Sequence, residues 1–265
     1  MRSTWLTIAL VMLTAVSWHG GLDREATAKT EQLLWNATVA YASARTLNGI
    51  ISVAQGTEIA LQPAGIGVNI SAGQILDPLN DLIERFSGFI MFAMVSLGAQ
   101  VLLNEVFSNF WVNLALTIAA SAYLVHLWWP QKFPQLKLFA QISSVLIFVR
   151  FVTVAVMLVT AFVNEAFLQE RQDEAMTKLT TTSDEIEVMQ DRASQHESWF
   201  DALKDRLDVE AQLDRLSLRI ESAIGHLVDL FVIFTVQTLL LPLGTLFTAY
   251  WSFRAYWRHL SPLKK

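Results

Sequence analysis

The stretch that decides the fold is FAQISSVLIFVRFVTVAVMLVTAFV, residues 139–163. It contains no acid, proline or glycine, and its single charge, Arg150, lies near the middle. Because a bilayer core of about 30 Å requires about 20 apolar residues of helix, this run predicts a membrane-spanning helix. A cation inside such a helix is costly and usually has a structural or functional partner. Arg150 is therefore the central candidate residue.

The composition of the whole chain extends this interpretation. Of its 265 residues, 53% are hydrophobic and only 16% are charged, whereas a soluble domain has about 25% charged residues. The sequence therefore predicts an all-α membrane protein with four to five membrane helices. The predicted segments are 1–20, 86–103, 110–129, 139–163 and 223–251.

The charges are unevenly distributed along the chain. Residues 165–221 contain fifteen acids and seven bases, while the rest of the chain carries a net charge of +3. This pattern excludes a basic nucleic-acid-binding surface on the long polar segment, so no nucleic-acid partner is expected. Short basic groups flank the predicted spans instead.

No residue pattern points to catalysis. The chain has no cysteine, which excludes disulfides, thiolate nucleophiles and Cys-based metal sites. The five histidines form no H-E-x-x-H pair, and the glycines of residues 65–73 lack the spacing of a nucleotide-binding loop. We expect no enzyme activity, no metal and no cofactor.

The N-terminal part divides into two segments. Residues 1–20 are either a signal anchor that stays as the first span, which we favour, or a cleaved signal peptide. Residues 21–85 are expected to form an extramembrane, periplasmic helical domain. In it, apolar residues at helical spacing predict an amphipathic helix over 23–56. Pro63 and the following glycines end that helix, and a second helix is expected to start at Asp77 and Pro78 and to run into segment 86–103.

The acidic segment 164–222 has apolar or small residues at steps of three, four and seven. Such spacing predicts a long helical hairpin of coiled-coil type between the last two spans. Its polar faces would serve self-association or a protein partner. The last span, 223–251, is followed by a basic tail, 252–265.

Two topology rules disagree. If all five apolar segments cross the bilayer and Arg2 stays inside, the hairpin is cytoplasmic and the basic tail is outside, which contradicts the positive-inside rule at Lys132, Lys137 and the tail. If 86–103 is re-entrant, interfacial or packed without a full crossing, both lysines and the tail lie inside. The second arrangement places the tail inside and the hairpin outside, and we favour it.

The hairpin provides a register for Arg150. If its arms leave the membrane near Asn164 and Ser222, Arg150 is level with Val236, and its predicted polar contacts are Thr235, Gln237 and Thr238. Asp229 would lie about 10 Å nearer the hairpin. Asp229 and Glu105 are secondary candidates. The contact either fixes helix register or contributes to a pore or an anion site.

A second feature of the last span is Pro242, followed by Gly244. A proline inside a helix loses one backbone hydrogen bond and clashes with the preceding turn. These two residues are therefore predicted to form a hinge.

The block GQILDPLNDLIERFS, residues 73–87, with QGTE at 55–58, resembles a block of uncharacterised multi-pass bacterial inner-membrane proteins. The resemblance implies a bacterial inner-membrane location and brings no known activity.

The function expected from these features is that of a non-enzymatic assembly or scaffold protein of the cell envelope. The alternative is an oligomeric channel or transport component with Arg150 and Gln237 near the permeation path.

Overall fold

A computed structural model describes residues 2–60, 72–132, 137–194 and 206–260. These residues are almost entirely helical and include no strand. The helices are α1 (Arg2–His19), α2 (Gly21–Ala60), α3 (Ala72–Ser108), α4 (Phe110–Trp128), α5 (Lys137–Val163), α6 (Gln169–Ser194), α7 (Arg206–Thr235) and α8 (Leu241–Leu260). Two π-helical segments, π1 (Asn164–Leu168) and π2 (Val236–Leu240), join α5 to α6 and α7 to α8.

Four described segments are long and apolar enough to cross a membrane. They are Asn80–Ser108, Phe110–Trp128, Gln141–Thr181 and Ser222–Ala255. A fifth is possible if the bent pair Thr4–His19 and Gly21–Ser52, which meets at 55°, forms one span. The chain is therefore an all-α membrane protein, as the composition predicts.

The chain divides into two compact units. Unit 1 comprises residues 1–34, 95–165 and 237–265, and unit 2 comprises 35–94 and 166–236. The first part of α2, up to Leu34, thus belongs with segments predicted to lie in the membrane, although the sequence predicts an extramembrane domain from residue 21. The turn of the predicted hairpin and the loop around Pro63 lie outside the described residues.

Helix α2 includes the predicted amphipathic helix. Eight of its buried residues recur at alternating steps of four and three, the spacing of a seam between packed helices. They are Ala26, Thr30, Leu33, Ala37, Ala40, Ala44, Leu47 and Ile51. Helix α3 also runs unbroken into the apolar segment 86–103, but it begins at Ala72, five residues before Asp77.

In unit 1, α1 and α4 run antiparallel. The indole of Trp128 donates to Thr7 Oγ1 at 3.2 Å, and at the other end of the pair Ser17 Oγ donates to Asn113 Oδ1 at 2.5 Å. Between these contacts, Leu10 packs in a cluster with Ala120. Small residues such as alanine allow helix backbones to approach closely in lipid.

The α5 and α8 helices of unit 1 are also antiparallel. Gln237 Nε2 donates to Asn164 Oδ1 at 2.5 Å, and the rings of Phe148 and Phe253 lie 4.5 Å apart. Asn164 and Phe148 are sixteen residues apart on one side, and Gln237 and Phe253 are sixteen apart on the other. The two contacts therefore define one register.

In unit 2, α6 packs against α7. The buried residues of α6 are Gln172, Ala175 and Leu179, and those at the matching part of α7 are Ala223, Leu227 and Leu230. Both sets follow steps of three and four. Residues 195–205, which connect the two helices, are outside the described part.

The bend between α1 and α2 depends on Gly20. Its φ is +63°, in the left-handed region, and its carbonyl accepts from the Arg24 amide at 3.2 Å. A Cβ at this position would meet nothing within 4 Å, so the constraint is on the backbone alone. Glycine adopts this conformation without the steric cost that other residues carry.

We expect Gly20→Ala to lower the free energy of unfolding by about 1–2 kcal/mol, because Cβ disfavours the left-handed region. Thermal unfolding followed by tryptophan fluorescence in detergent measures this. Gly49→Ala, in the interior of α2 with open space around its Cβ, is the matched control and should leave stability unchanged or raise it. Equal stability of Gly20→Ala and the native chain would contradict the role of this backbone conformation.

Candidate polar centre of the membrane helices

Arg150 is paired with Asp23. Its Nη1 donates to Asp23 Oδ1 at 2.7 Å and its Nη2 to Asp23 Oδ2 at 2.6 Å. Arg150 is 2% exposed and Asp23 is 8% exposed. Two parallel hydrogen bonds between a guanidinium and a carboxylate are the geometry in which this pair is strongest.

The local structure of α2 favours a carboxylate at this point. Asp23 lies in the first turn of α2, directly after the bend at Gly20. Backbone amides without helical partners and the helix dipole stabilise negative charge there. The carboxylate of Asp23 is thus stabilised by its own helix as well as by the guanidinium.

A third helix joins the pair through Asn104, which is 1% exposed. Its Nδ2 donates to the Asp23 carbonyl at 3.2 Å and to Thr27 Oγ1 at 3.0 Å. Asn104 Oδ1 and Arg150 Nε are buried and have no hydrogen-bond partner among the described residues. We call Asp23, Asn104 and Arg150 the polar centre.

The polar centre borders an apolar cluster formed by Ala26, Val101, Val154 and Met157. Charges beside such side chains interact more strongly than in water, but removing them from water is also expensive. The pair therefore ties α2 to α5 firmly as long as both partners are present.

This pairing replaces the contact that the sequence predicts for Arg150. None of Thr235, Gln237 and Thr238 bonds to Arg150 in the structure. Gln237 bonds to Asn164 instead, and Thr235 Oγ1 donates to the carbonyl of Phe231 in its own helix at 2.7 Å.

The difference is one of register. The prediction placed Asn164 level with Ser222, whereas the structure places it beside Gln237, fifteen residues further along the chain. The predicted register assumed that Asn164 and Ser222, the ends of the two apolar runs, lie at the same level. In the structure, α5 and α7 continue into α6 and α8 through the π segments, and Arg150 is level with Trp251 by the spacing of the Phe148–Phe253 contact.

The secondary candidates are not part of the polar centre. Both Asp229 and Glu105 are exposed. The residue beside Glu105, Asn104, is the one that contacts Asp23. The sequence-based prediction missed Asn104, because an uncharged amide in an apolar run is a weak signal. Only its position on the buried face of α3 distinguishes it from other polar residues of that run.

Pro242 accounts for a contact between α3 and the last span. A proline at position 242 has no N–H to donate to the carbonyl of Thr238, four residues earlier. In the structure, Ser96 Oγ donates to that carbonyl in a long hydrogen bond of 3.4 Å. Pro242 follows directly after π2 and Leu241, and Gly244 is exposed. A hinge at these residues stays a prediction.

Among the described residues, no three His, Asp or Glu side chains converge as metal ligands do. Comparison of the chain with protein-family models, with curated proteins and with solved structures finds no match.

We expect Arg150→Gln and Asp23→Asn each to lower the free energy of unfolding by about 3–5 kcal/mol, because each leaves one charge buried without its partner. The double variant should recover most of this loss, since two neutral amides can bond to each other. Unfolding in detergent and folded yield measure both effects. Arg24→Gln, an exposed neighbour, is the control. If the two single changes add in the double variant, the ion pair does not couple the helices.

We expect Ser96→Ala to lower the free energy of unfolding by about 0.6 kcal/mol, the average for a hydrogen bond between membrane helices. In a Pro242→Ala background this cost should disappear, because the restored amide takes the Thr238 carbonyl. Ser252→Ala, whose hydroxyl bonds within its own helix, is the control. Equal costs of Ser96→Ala in both backgrounds would contradict this explanation of the contact.

Proposed function

We propose that the chain is a non-enzymatic assembly or scaffold protein of the bacterial inner membrane, which binds a protein partner or a second copy through the acidic α6–α7 pair. The partner would bind the charged outer face of this pair.

The observation that carries the proposal is the separation of faces on α6. The side chains of Gln172, Ala175 and Leu179 are buried, and four acids on the other sides of the helix are exposed. These exposed acids are Glu170, Asp173, Glu174 and Asp184. A helix with an apolar seam and a charged outer face is suited to helix pairing and to recognition of a partner of opposite charge.

The polar contacts of unit 1 support a fixed framework. Arg150 is bonded to Asp23, and Gln237 is bonded to Asn164 and fully buried. Side chains used in this way hold helices together. The bacterial inner membrane is supported by the resemblance of residues 73–87 and by the apolar helices.

A channel or transport function is the second candidate, with Arg150 and Gln237 near the path. It is favoured by two helix interruptions in unit 1, at Gly20 between α1 and α2 and at Asn109 between α3 and α4. Helices interrupted inside the bilayer often form the substrate sites of transporters, since their ends carry partial charges.

Partner recruitment can be tested with two pairs of charge-neutralising changes. Glu170→Gln with Asp173→Asn removes acids from α6, and Glu105→Gln with Asp229→Asn removes two exposed acids elsewhere. We expect proximity labelling from a fused ligase in cells to lose its specific neighbours only in the first variant, because surface charges control association. Equal labelling in both variants would contradict recruitment by α6.

Conductance distinguishes the two functions. A scaffold should give no ion flow above that of the lipid in planar bilayers, for the native chain and for the double variant Asp23→Asn with Arg150→Gln. The double variant should keep the fold. A new or altered current in it would therefore reflect an ion path through the protein and not unfolding. A current in the native chain that changes in this variant would overturn the scaffold proposal.

A further inference from the structure

Residues 1–22, 106–164 and 230–265 form three stretches without an acid that include the starts or ends of α1, α4, α5 and α8. One of their cations, Arg150, is paired with Asp23, which lies just outside them. The remaining cations are Arg2, Lys132, Lys137, Arg254, Arg258, Lys264 and Lys265. All seven lie at or near the ends of α1, α4, α5 and α8 in the chain.

The helix directions of unit 1 bring these ends to one side. Because Thr7 contacts Trp128, the start of α1 lies beside the end of α4. Helix α5 starts a few residues later in the chain. Because α8 runs antiparallel to α5, its end lies towards the start of α5. We call this side of unit 1 the basic end.

The best-defined part of the basic end is the turn over residues 129–132. The Trp129 amide donates to the Val125 carbonyl and closes α4, and the Lys132 amide donates to the Trp129 carbonyl at 3.2 Å. Trp129 is 57% exposed, and Lys132 is exposed. The turn therefore presents an indole and an ammonium group together.

Helix α8 presents a similar pair. Trp251 and Arg254 are both exposed and, being three residues apart, lie on one face of the helix. Neither Lys132 nor Arg254 forms an ion pair with a described residue, whereas Lys29, Arg85 and Lys178 each bond to a carboxylate. The indole N–H groups of Trp129 and Trp251 also have no hydrogen-bond partner within the described part.

We propose that the basic end is a binding surface for the headgroups of anionic phospholipids. Trp129 directly follows α4, and Trp251 lies four residues before the end of the apolar segment Ser222–Ala255. Exposed tryptophan near the end of a membrane segment is suited to the interface between hydrocarbon and water. Lysine and arginine beside it are attracted to negatively charged lipids, and no acid in the three stretches opposes this.

The test uses the full chain in neutral detergent, titrated with phosphatidylglycerol or phosphatidylcholine and followed by native mass spectrometry. We expect phosphatidylglycerol to bind more tightly. Lys132→Gln with Arg254→Gln should weaken it about twenty-five-fold, since one cation near an anionic lipid surface corresponds to about fivefold in affinity. Phosphatidylcholine binding should not change. Both residues are exposed, so the fold is expected to persist.

The control is Arg85→Gln with Lys178→Gln, which removes two exposed cations of unit 2 and the same net charge. This control should keep the native preference. Equal weakening in the two double variants would overturn the proposal by showing a general charge effect. Three other results would also overturn it. They are equal affinity for the two lipids, an unchanged affinity for phosphatidylglycerol in Lys132→Gln with Arg254→Gln, and displacement of phosphatidylglycerol by inorganic phosphate.

Discussion

A guanidinium placed among hydrocarbon side chains requires a carboxylate, and in this chain Asp23 provides it for Arg150. This requirement constrains how the other helices of unit 1 pack against α5. Because Arg150 lies in the middle of a long apolar run, the start of α2 must lie beside the middle of α5. Residues from Gly21 to Leu34 are therefore packed with membrane helices, although their composition alone is that of a water-exposed amphipathic helix.

The other polar contacts of unit 1 work in the same way, since each joins two helices that are distant in the sequence. Asn164 bonds to Gln237, Ser17 bonds to Asn113, and Ser96 bonds to a carbonyl freed by Pro242. Between helices in lipid there is no hydrophobic driving force, so polar contacts and close packing of small residues decide which faces meet. The proline thus contributes a specific contact between α3 and the last span.

The sequence predicts the helical class, the apolar spans and the burial of Arg150, because these depend on composition and periodicity within one segment. The prediction of the partner of Arg150 was wrong, because a contact with another helix depends on the register between the two helices. A hairpin register assigned from the ends of apolar runs differs by fifteen residues from the contact between Asn164 and Gln237. The helices stay paired where the hydropathy of the sequence changes, because the π segments connect α5 to α6 and α7 to α8 there.

The distribution of acids in the sequence would have reduced the number of candidate partners for Arg150. The acids that border residues 1–22, 106–164 and 230–265 are Asp23, Glu105, Glu165 and Asp229. Glu165 bonds to Lys29 at 2.8 Å, while Glu105 and Asp229 are exposed. Asp23 is the one that lies on the buried seam of α2, three residues before Ala26 and seven before Thr30. Periodicity of α2 and scarcity of acids together point to the same residue, since a buried cation can be neutralised only by an acid on a buried face.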